Sequence, residues 1–242
     1  TKKDTISVTE DTEKTITMEK APESTRKDVS AAWKNFRNSD DNMGITSAKT
    51  PTSEATTYEK WIKKLGSRRG VAAPSVQIIV DNSLIVMSAN HIYKLDLNTG
   101  DILQTGDMVA ATNFGYTPPT YADGMIFAPL ADGRVQAFNA ETLESLWVYQ
   151  DMLKGQSLSP ITYSDGYIYT GFWNAETKDA NYVCIPVTDE DPTNTQEAKE
   201  AAWQYTSLAV STGQVLWYAV TMLYLVRMTA QAVQTEPDMY YL

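Results

Sequence analysis

An all-β fold assembled from repeated four-stranded antiparallel units is what this 242-residue sequence predicts, and three observations predict it. The first is a strand–turn–strand segment, His91-Ile-Tyr-Lys-Leu-Asp-Leu-Asn-Thr-Gly-Asp-Ile-Leu-Gln104, whose Asn98-Thr99-Gly100 suits a short hairpin. It returns as Val135-Gln-Ala-Phe-Asn-Ala-Glu-Thr-Leu-Glu-Ser-Leu-Trp147 and as Leu208-Ala-Val-Ser-Thr-Gly-Gln-Val-Leu-Trp217. The second is spacing: Trp61, Gln104 and Trp147 stand 43 residues apart, so each marks the same place in successive units. The third runs in phase with it. Thr117-Pro-Pro-Thr-Tyr-Ala-Asp-Gly-Met-Ile-Phe127 matches Ser159-Pro-Ile-Thr-Tyr-Ser-Asp-Gly-Tyr-Ile-Tyr169 at an offset of 42, and Asp81-Asn82-Ser-Leu-Ile-Val86 is a weaker earlier copy. Two hairpins and four strands in about 42 residues describe a β-propeller blade rather than a helical solenoid repeat.

In chain order, Thr5–Val8 and Lys14–Met18 alternate at period two and read as short strands, and the turn-rich Ala21–Thr25 reads as a linker. This places an N-terminal β-extension and linker at residues 1–28 and the propeller at 29–242. Trp33-Lys-Asn-Phe-Arg37 is expected as a strand followed by a long loop. For Tyr58–Leu65 the local pattern fits helix and strand alike, and the repeat spacing decides for strand. Trp147 and Trp203 lie 56 residues apart, an excess assigned to the acidic Thr188–Glu197 loop on a blade rim. Trp203 and Trp217 are only 14 apart, so the propeller is expected to be incomplete or irregular toward its C-terminus. The uncharged run from Ala201 to Val226 is long enough to span a membrane, yet its polar residues and its repeat motif favour buried strands over a membrane helix.

Composition narrows the chemistry. Residues 1–70 hold 14 Lys/Arg against 11 Asp/Glu, and residues 71–242 hold 6 against 19, a balance of −13 in the body. That body is unsuited to phosphate backbones, so no nucleic-acid partner is expected. One cysteine, Cys184, and one histidine, His91, exclude an intrachain disulfide and a Cys/His zinc site, and remove Ser-His-Asp and Cys-His catalysis unless His91 supplies the base. His91, in an apolar strand pattern, is given a structural role. Asp96-Leu-Asn98-Thr-Gly-Asp101 places oxygen ligands at alternating positions but lacks the closing bidentate Glu of a calcium loop, so the hairpin accounts for it. Gly66-Ser-Arg-Arg-Gly70 lacks the spacing of a phosphate loop.

The pattern of strand, Leu-Asp, Asn-Thr-Gly, Ile-Leu-Trp resembles the repeat of the pyrroloquinoline-quinone-like (PQQ-like) β-propellers, over roughly residues 31–217. In that family a Trp on each outer strand packs against the next blade. The resemblance carries this blade-docking role to Trp61, Trp147, Trp203 and Trp217, with Gln104 departing from it and a weaker contact expected there. The opening Trp33–Arg37 is similar to the entry of such propellers in bacterial secreted and surface proteins. Quinoprotein dehydrogenases of this type bind PQQ and Ca²⁺, and many place adjacent cysteines over the quinone. The single Cys184 rules that pair out, and no residue here matches the calcium ligands or the catalytic Asp.

The resulting expectation is a non-catalytic, extracellular or cell-surface bacterial propeller that binds or scaffolds protein at the cell envelope. No cofactor and no membrane span are expected, and oligomers would follow if the propeller does not close in one chain. A carbohydrate-binding propeller is the alternative, and a PQQ/Ca-dependent dehydrogenase the enzyme alternative. Candidate ligand-binding residues are Tyr169, Phe172 and Trp173, whose rings could stack on a sugar, with Asp189 and Asp191 of the acidic loop.

Overall fold

The computed structural model describes residues 26–66, 74–112, 117–175 and 178–207. Among the described residues three sheets follow one another in sequence, each built on a four-stranded antiparallel unit. Blade I comprises β2 (Ile78–Val80), β3 (Ser83–Ser88), β4 (His91–Asp96) and β5 (Ile102–Asp107), with β1 (Ala31–Trp33) added to its first strand. Blade II comprises β6 (Thr120–Ala122), β7 (Met125–Leu130), β8 (Arg134–Asn139) and β9 (Ser145–Gln150). Blade III comprises β10 (Thr162–Ser164), β11 (Tyr167–Gly171), β12 (Ala180–Pro186) and β14 (Trp203–Ser207). The first strand of blade II, β6, touches both β2 and β10, so neighbouring blades meet along their inner edges. The expected strands at Thr5–Val8 and Lys14–Met18, the Leu208–Trp217 copy and most of the uncharged run lie outside the described residues.

The first hairpin of every blade turns on two residues of positive φ: Asp81 and Asn82, Asp123 and Gly124, Asp165 and Gly166. That is the turn whose twist matches paired strands, and Asp, Asn and Gly adopt it at least cost. The second hairpins share a side-chain device. Asp96 Oδ1 accepts from the backbone N–H of Asn98 (2.7 Å) and Thr99 (2.9 Å), and Asn139 Oδ1 accepts from Glu141 (2.8 Å) and Thr142 (3.2 Å). The Thr99 bond, followed by the Asn98 bond, holds the Asp96 carboxyl below the usual carboxylate range. The Asp96 oxygens therefore serve the turn.

Side chains alternate across each strand and form two cores. Ile78, Ile85 and Ile92 of blade I meet Ile126, Leu130, Phe138 and Leu143 of blade II. On the other face of blade II, Met125, Phe127, Val135 and Trp147 meet Ile161, Ile168, Val183 and Ile185 of blade III. Strand β7 is consequently buried at all six positions, which explains its unbroken apolar sequence.

The blades are joined by one repeated node. The N–H of Leu97, Ala140 and Val187 bonds within its own blade to the carbonyl of Asn82, Gly124 and Gly166. Their carbonyls face the preceding unit. Trp61 Nε1 donates to Leu97 O (3.1 Å) and Trp147 Nε1 donates to Val187 O (3.2 Å). At the junction of blades I and II, where the sequence has Gln104, Lys94 Nζ donates to Ala140 O (3.3 Å) instead. Lys94 is the cross-strand partner of Gln104, whereas Trp147 and Trp203 face the small Ala137 and Cys184.

Three expectations are corrected. The first strand ends at Trp33; Arg37 and Asn38 take positive φ (61° and 65°) in a 3-10 turn, which the buried Asn35 stabilises by donating to Ser39 O (3.0 Å). Tyr58–Leu65 is not a strand. It has no neighbouring strand to pair with among the described residues and is held by Trp61 and by Lys60, which donates to Asn98 Oδ1 (2.7 Å). The 43-residue spacing thus identified the indole contact, not the secondary structure. Finally, Thr188–Glu197 is not only a solvated rim loop. It leads into β13 (Glu197–Lys199), which pairs parallel to β9 and gives blade II a fifth strand. Burying Lys199 fixes this return: its ammonium meets Thr188 O and Glu190 (3.1 Å) and lies 6.0 Å from the centre of the Trp147 ring.

Candidate binding cleft at the inner ends of the blades

Residues 26–38 run along the inner edge of the blades because their backbone finds partners on two of them. Asp81 N–H of blade I donates to Ser30 O (2.9 Å), and Tyr121 N–H of blade II donates to Lys34 O (2.7 Å). Gly124 makes room for this segment: with φ at +68°, a Cβ there would meet Arg26 Cβ and Lys27 O at 2.9 Å. Between this arm and blades II and III lies a cleft of about 520 Å³, lined by Asp28, Val29, Ala31, Ala32, Lys34, Asn38, Tyr121, Ala122, Asp123 and Tyr163.

Two tyrosine–aspartate pairs form its polar wall, one blade apart. Tyr163 Oη donates to Asp123 Oδ2, which belongs to the first hairpin of the preceding blade, and accepts from Gly166 N–H (3.1 Å). Tyr121 occupies the same place in its own blade. Its Oη donates to Asp28 Oδ1 (2.6 Å) and accepts from Val29 N–H (2.7 Å), so Asp28 of the arm stands where Asp81 of blade I would by repeat symmetry. Desolvation first, then the carboxylate bond, pushes the Tyr121 phenol up to about 12 and the Tyr163 phenol higher still. Both hydroxyls therefore remain proton donors at neutral pH. Lys34 Nζ is paired with Asp40 (2.6 Å). The Tyr-x-Asp-Gly segment that marks the first hairpins recurs at an offset of 42, and that recurrence is also the sequence signal for this ladder.

The residues singled out from sequence are dispersed. Phe172 is buried and stacks on Tyr149, with ring centres 6.2 Å apart. Trp173 is half-buried, and its backbone bridges to Gln156. Tyr169 lies on β11 against Trp203. The Asp189 side chain is buried and ion-paired with Arg26; burial, outweighing Arg26, pushes its carboxyl above the usual range. Asp191 is exposed and caps a turn by accepting from Thr193 N–H (3.1 Å) and Oγ1 (2.6 Å). Among the docking indoles, Trp61 and Trp147 are engaged, Trp203 is 42% exposed, and Trp217 lies outside the described residues. Burial pushes the Cys184 thiol up to about 11, which makes it a poor nucleophile. His91 Nδ1 stands 2.9 Å from Asp107 Oδ1, its cross-strand neighbour. Among the described residues no three His, Cys, Asp or Glu side chains converge as a metal site, and no helix is long and apolar enough to cross a membrane.

Meandering four-stranded blades with docking indoles define a β-propeller. Residues 105–223 match the family model described as outer membrane protein assembly factor BamB. Over those residues the chain is similar to PQQ-like repeats, and its fold is that of a β-propeller. Its fold is similar to that of the quinohemoprotein alcohol dehydrogenase ADHIIG from Pseudomonas putida HK5, with 17% identity, a TM-score of 0.54, and coverage of 73% of this chain and 26% of that one. Similarity is also found to the quinohemoprotein alcohol dehydrogenase from Comamonas testosteroni (15% identity, TM-score 0.49, 72% and 27% covered). A third structure, BamB from Moraxella catarrhalis, matches with 10% identity and a TM-score of 0.37, over 51% of this chain and 33% of that one. The chain thus spans about a quarter to a third of the length of these proteins. No curated protein matches the sequence.

Proposed function

We propose that this protein is a non-catalytic binding or scaffolding propeller that holds protein partners at the bacterial cell envelope. The observation that carries the reading is the treatment of the blades' outer edges. That of blade II is covered by an added strand, β13, whereas β5 and β14 end their sheets among the described residues. Both carry large apolar groups in solvent: Ile102 and Leu103 are 44% and 52% exposed, Trp203 and Tyr205 42% and 55%. An open strand with apolar side chains is a template for an extended partner segment, the manner in which β13 already adds to β9. The matched family model, described as an outer membrane protein assembly factor, supports an envelope role.

Photo-crosslinking from Leu103 and Tyr205 positions in a cell-envelope extract tests the reading. Discrete protein adducts are expected, reduced several-fold by Ile102→Lys and Trp203→Lys, each of which places a charge on an open edge. Adducts of equal yield in these variants would refute edge-mediated binding. Carbohydrate binding is the alternative because Trp173 is only partly buried; glycan retention that disappears in Trp173→Ala would select it. The quinone cofactor of related dehydrogenases is a polycarboxylate. The cleft offers it Asp28 and Asp123, with Lys34 already paired, so the lining of this cleft does not fit that group. An absent thermal shift with the quinone plus Ca²⁺ is expected.

A further inference from the structure

We infer that the inner cleft receives a lysine or arginine side chain from an extended basic segment of a partner polypeptide; this deepens the scaffold reading and rests on it. Asp28 and Asp123 each give one oxygen to a tyrosine, Asp28 Oδ1 to Tyr121 and Asp123 Oδ2 to Tyr163. Their other oxygens, Asp28 Oδ2 and Asp123 Oδ1, carry no hydrogen bond among the described residues. The phenols, held protonated, fix both carboxylates in place, so little side-chain freedom remains to be lost when a cation arrives. Beside them Val29, Ala31, Ala32 and Ala122 offer an apolar surface, the surroundings that the aliphatic stem of Lys or Arg covers while its head reaches a polar partner.

Charge selects the sign of the ligand. Lys34, the cation of the lining, is paired with Asp40, so an incoming ammonium or guanidinium meets two carboxylates, while an anion would be repelled by both. The balance of −13 over residues 71–242 extends the same preference beyond the cleft and speeds encounter with a basic segment. The volume, about 520 Å³, exceeds what one side chain fills and accommodates flanking backbone as well.

Fluorescence anisotropy with labelled hexalysine, hexaarginine and hexaglutamate tests this on the full chain. Asp28→Asn/Asp123→Asn removes both charges while the amide oxygens still accept from Tyr121 and Tyr163, and circular dichroism and a thermal melt check that it folds. Asp101→Asn/Glu144→Gln carries the same change of charge to the second hairpins of blades I and II. The basic peptides should bind, hexaglutamate should not, and the cleft variant should lose about tenfold or more in affinity while the hairpin variant loses less than twofold. Equal losses in the two variants would show diffuse attraction and overturn the site, as would basic-peptide binding that the cleft variant leaves unchanged. These readouts are independent of envelope crosslinking. Edge-dependent adducts with an indifferent cleft variant sink this inference alone, and peptide binding at the cleft without any adducts sinks binding at the strand edges alone.

Discussion

The two described junctions between blades perform the same task with different residues. Between blades II and III, Trp147 is fully buried, donates its indole N–H to Val187 O and packs beside Phe127, with the small Ala137 opposite it. Between blades I and II the same place is Gln104, whose Oε1 is buried without a hydrogen-bond partner, and its neighbour Lys94 donates to the turn carbonyl. The bulk has moved as well. Trp61 lies flat on Gly100, where a Cβ would come within 2.6 Å of the ring. The position equivalent to Gly100 in blade II is Leu143, buried and with φ at 58°, and it fills the space against Gly106 that an indole would occupy. A large ring on a small turn has been exchanged for a large turn residue on a small strand residue. What the repeat preserves is therefore a donor to one carbonyl and a filled volume, not a residue type.

This comparison is easiest to break at its indole. Trp147→Ala removes a fully buried ring and its hydrogen bond, and should cost about 3–5 kcal/mol in urea unfolding. A loss below about 1 kcal/mol would mean that the junction collapses onto the gap. Placing the indole of the other units at the exceptional site should do harm rather than good. Gln104→Trp is expected to lose about 1–3 kcal/mol through overpacking against Leu143. Adding Leu143→Gly should recover much of it, because it frees the space and also relieves the positive φ. If the two changes are simply additive, the exchange of bulk is not the reason for Gln104. The smallest effect belongs to Lys94→Met, which keeps the stem but loses the donor to Ala140 O, at about 0.5–1.5 kcal/mol in the same measurement.

Much of this was legible in particular residues. Asp123-Gly124 and Asp165-Gly166 specified their hairpins because turn geometry depends on two residues at a time. The spacing of Trp61 and Trp147 located two equivalent docking points. Less was legible where a partner distant in sequence decides. Tyr58–Leu65 has strand-like residues but no described strand beside it, and Thr188–Glu197 looked like an excursion until β13 was seen to join the preceding blade. Of the candidate site residues, Phe172 and Asp189 resembled surface ligands in sequence, yet the Phe172 residue and the Asp189 side chain are buried, since burial depends on what packs over a residue.

By itself the sequence determined the blade: its four strands, its two turns, its period and the acidic character of the body, all of which follow from alternation, turn chemistry and charge within some forty residues. The tertiary structure alone decided how blades join and where a ligand can sit. Lys94 reaches Ala140, Arg26 reaches Asp189, and Asp28 takes the place of Asp81 beside Tyr121 because the chain's return brings together groups between 46 and 163 residues apart. A local pattern encodes what a residue can do; only packing selects the neighbour with which it does it.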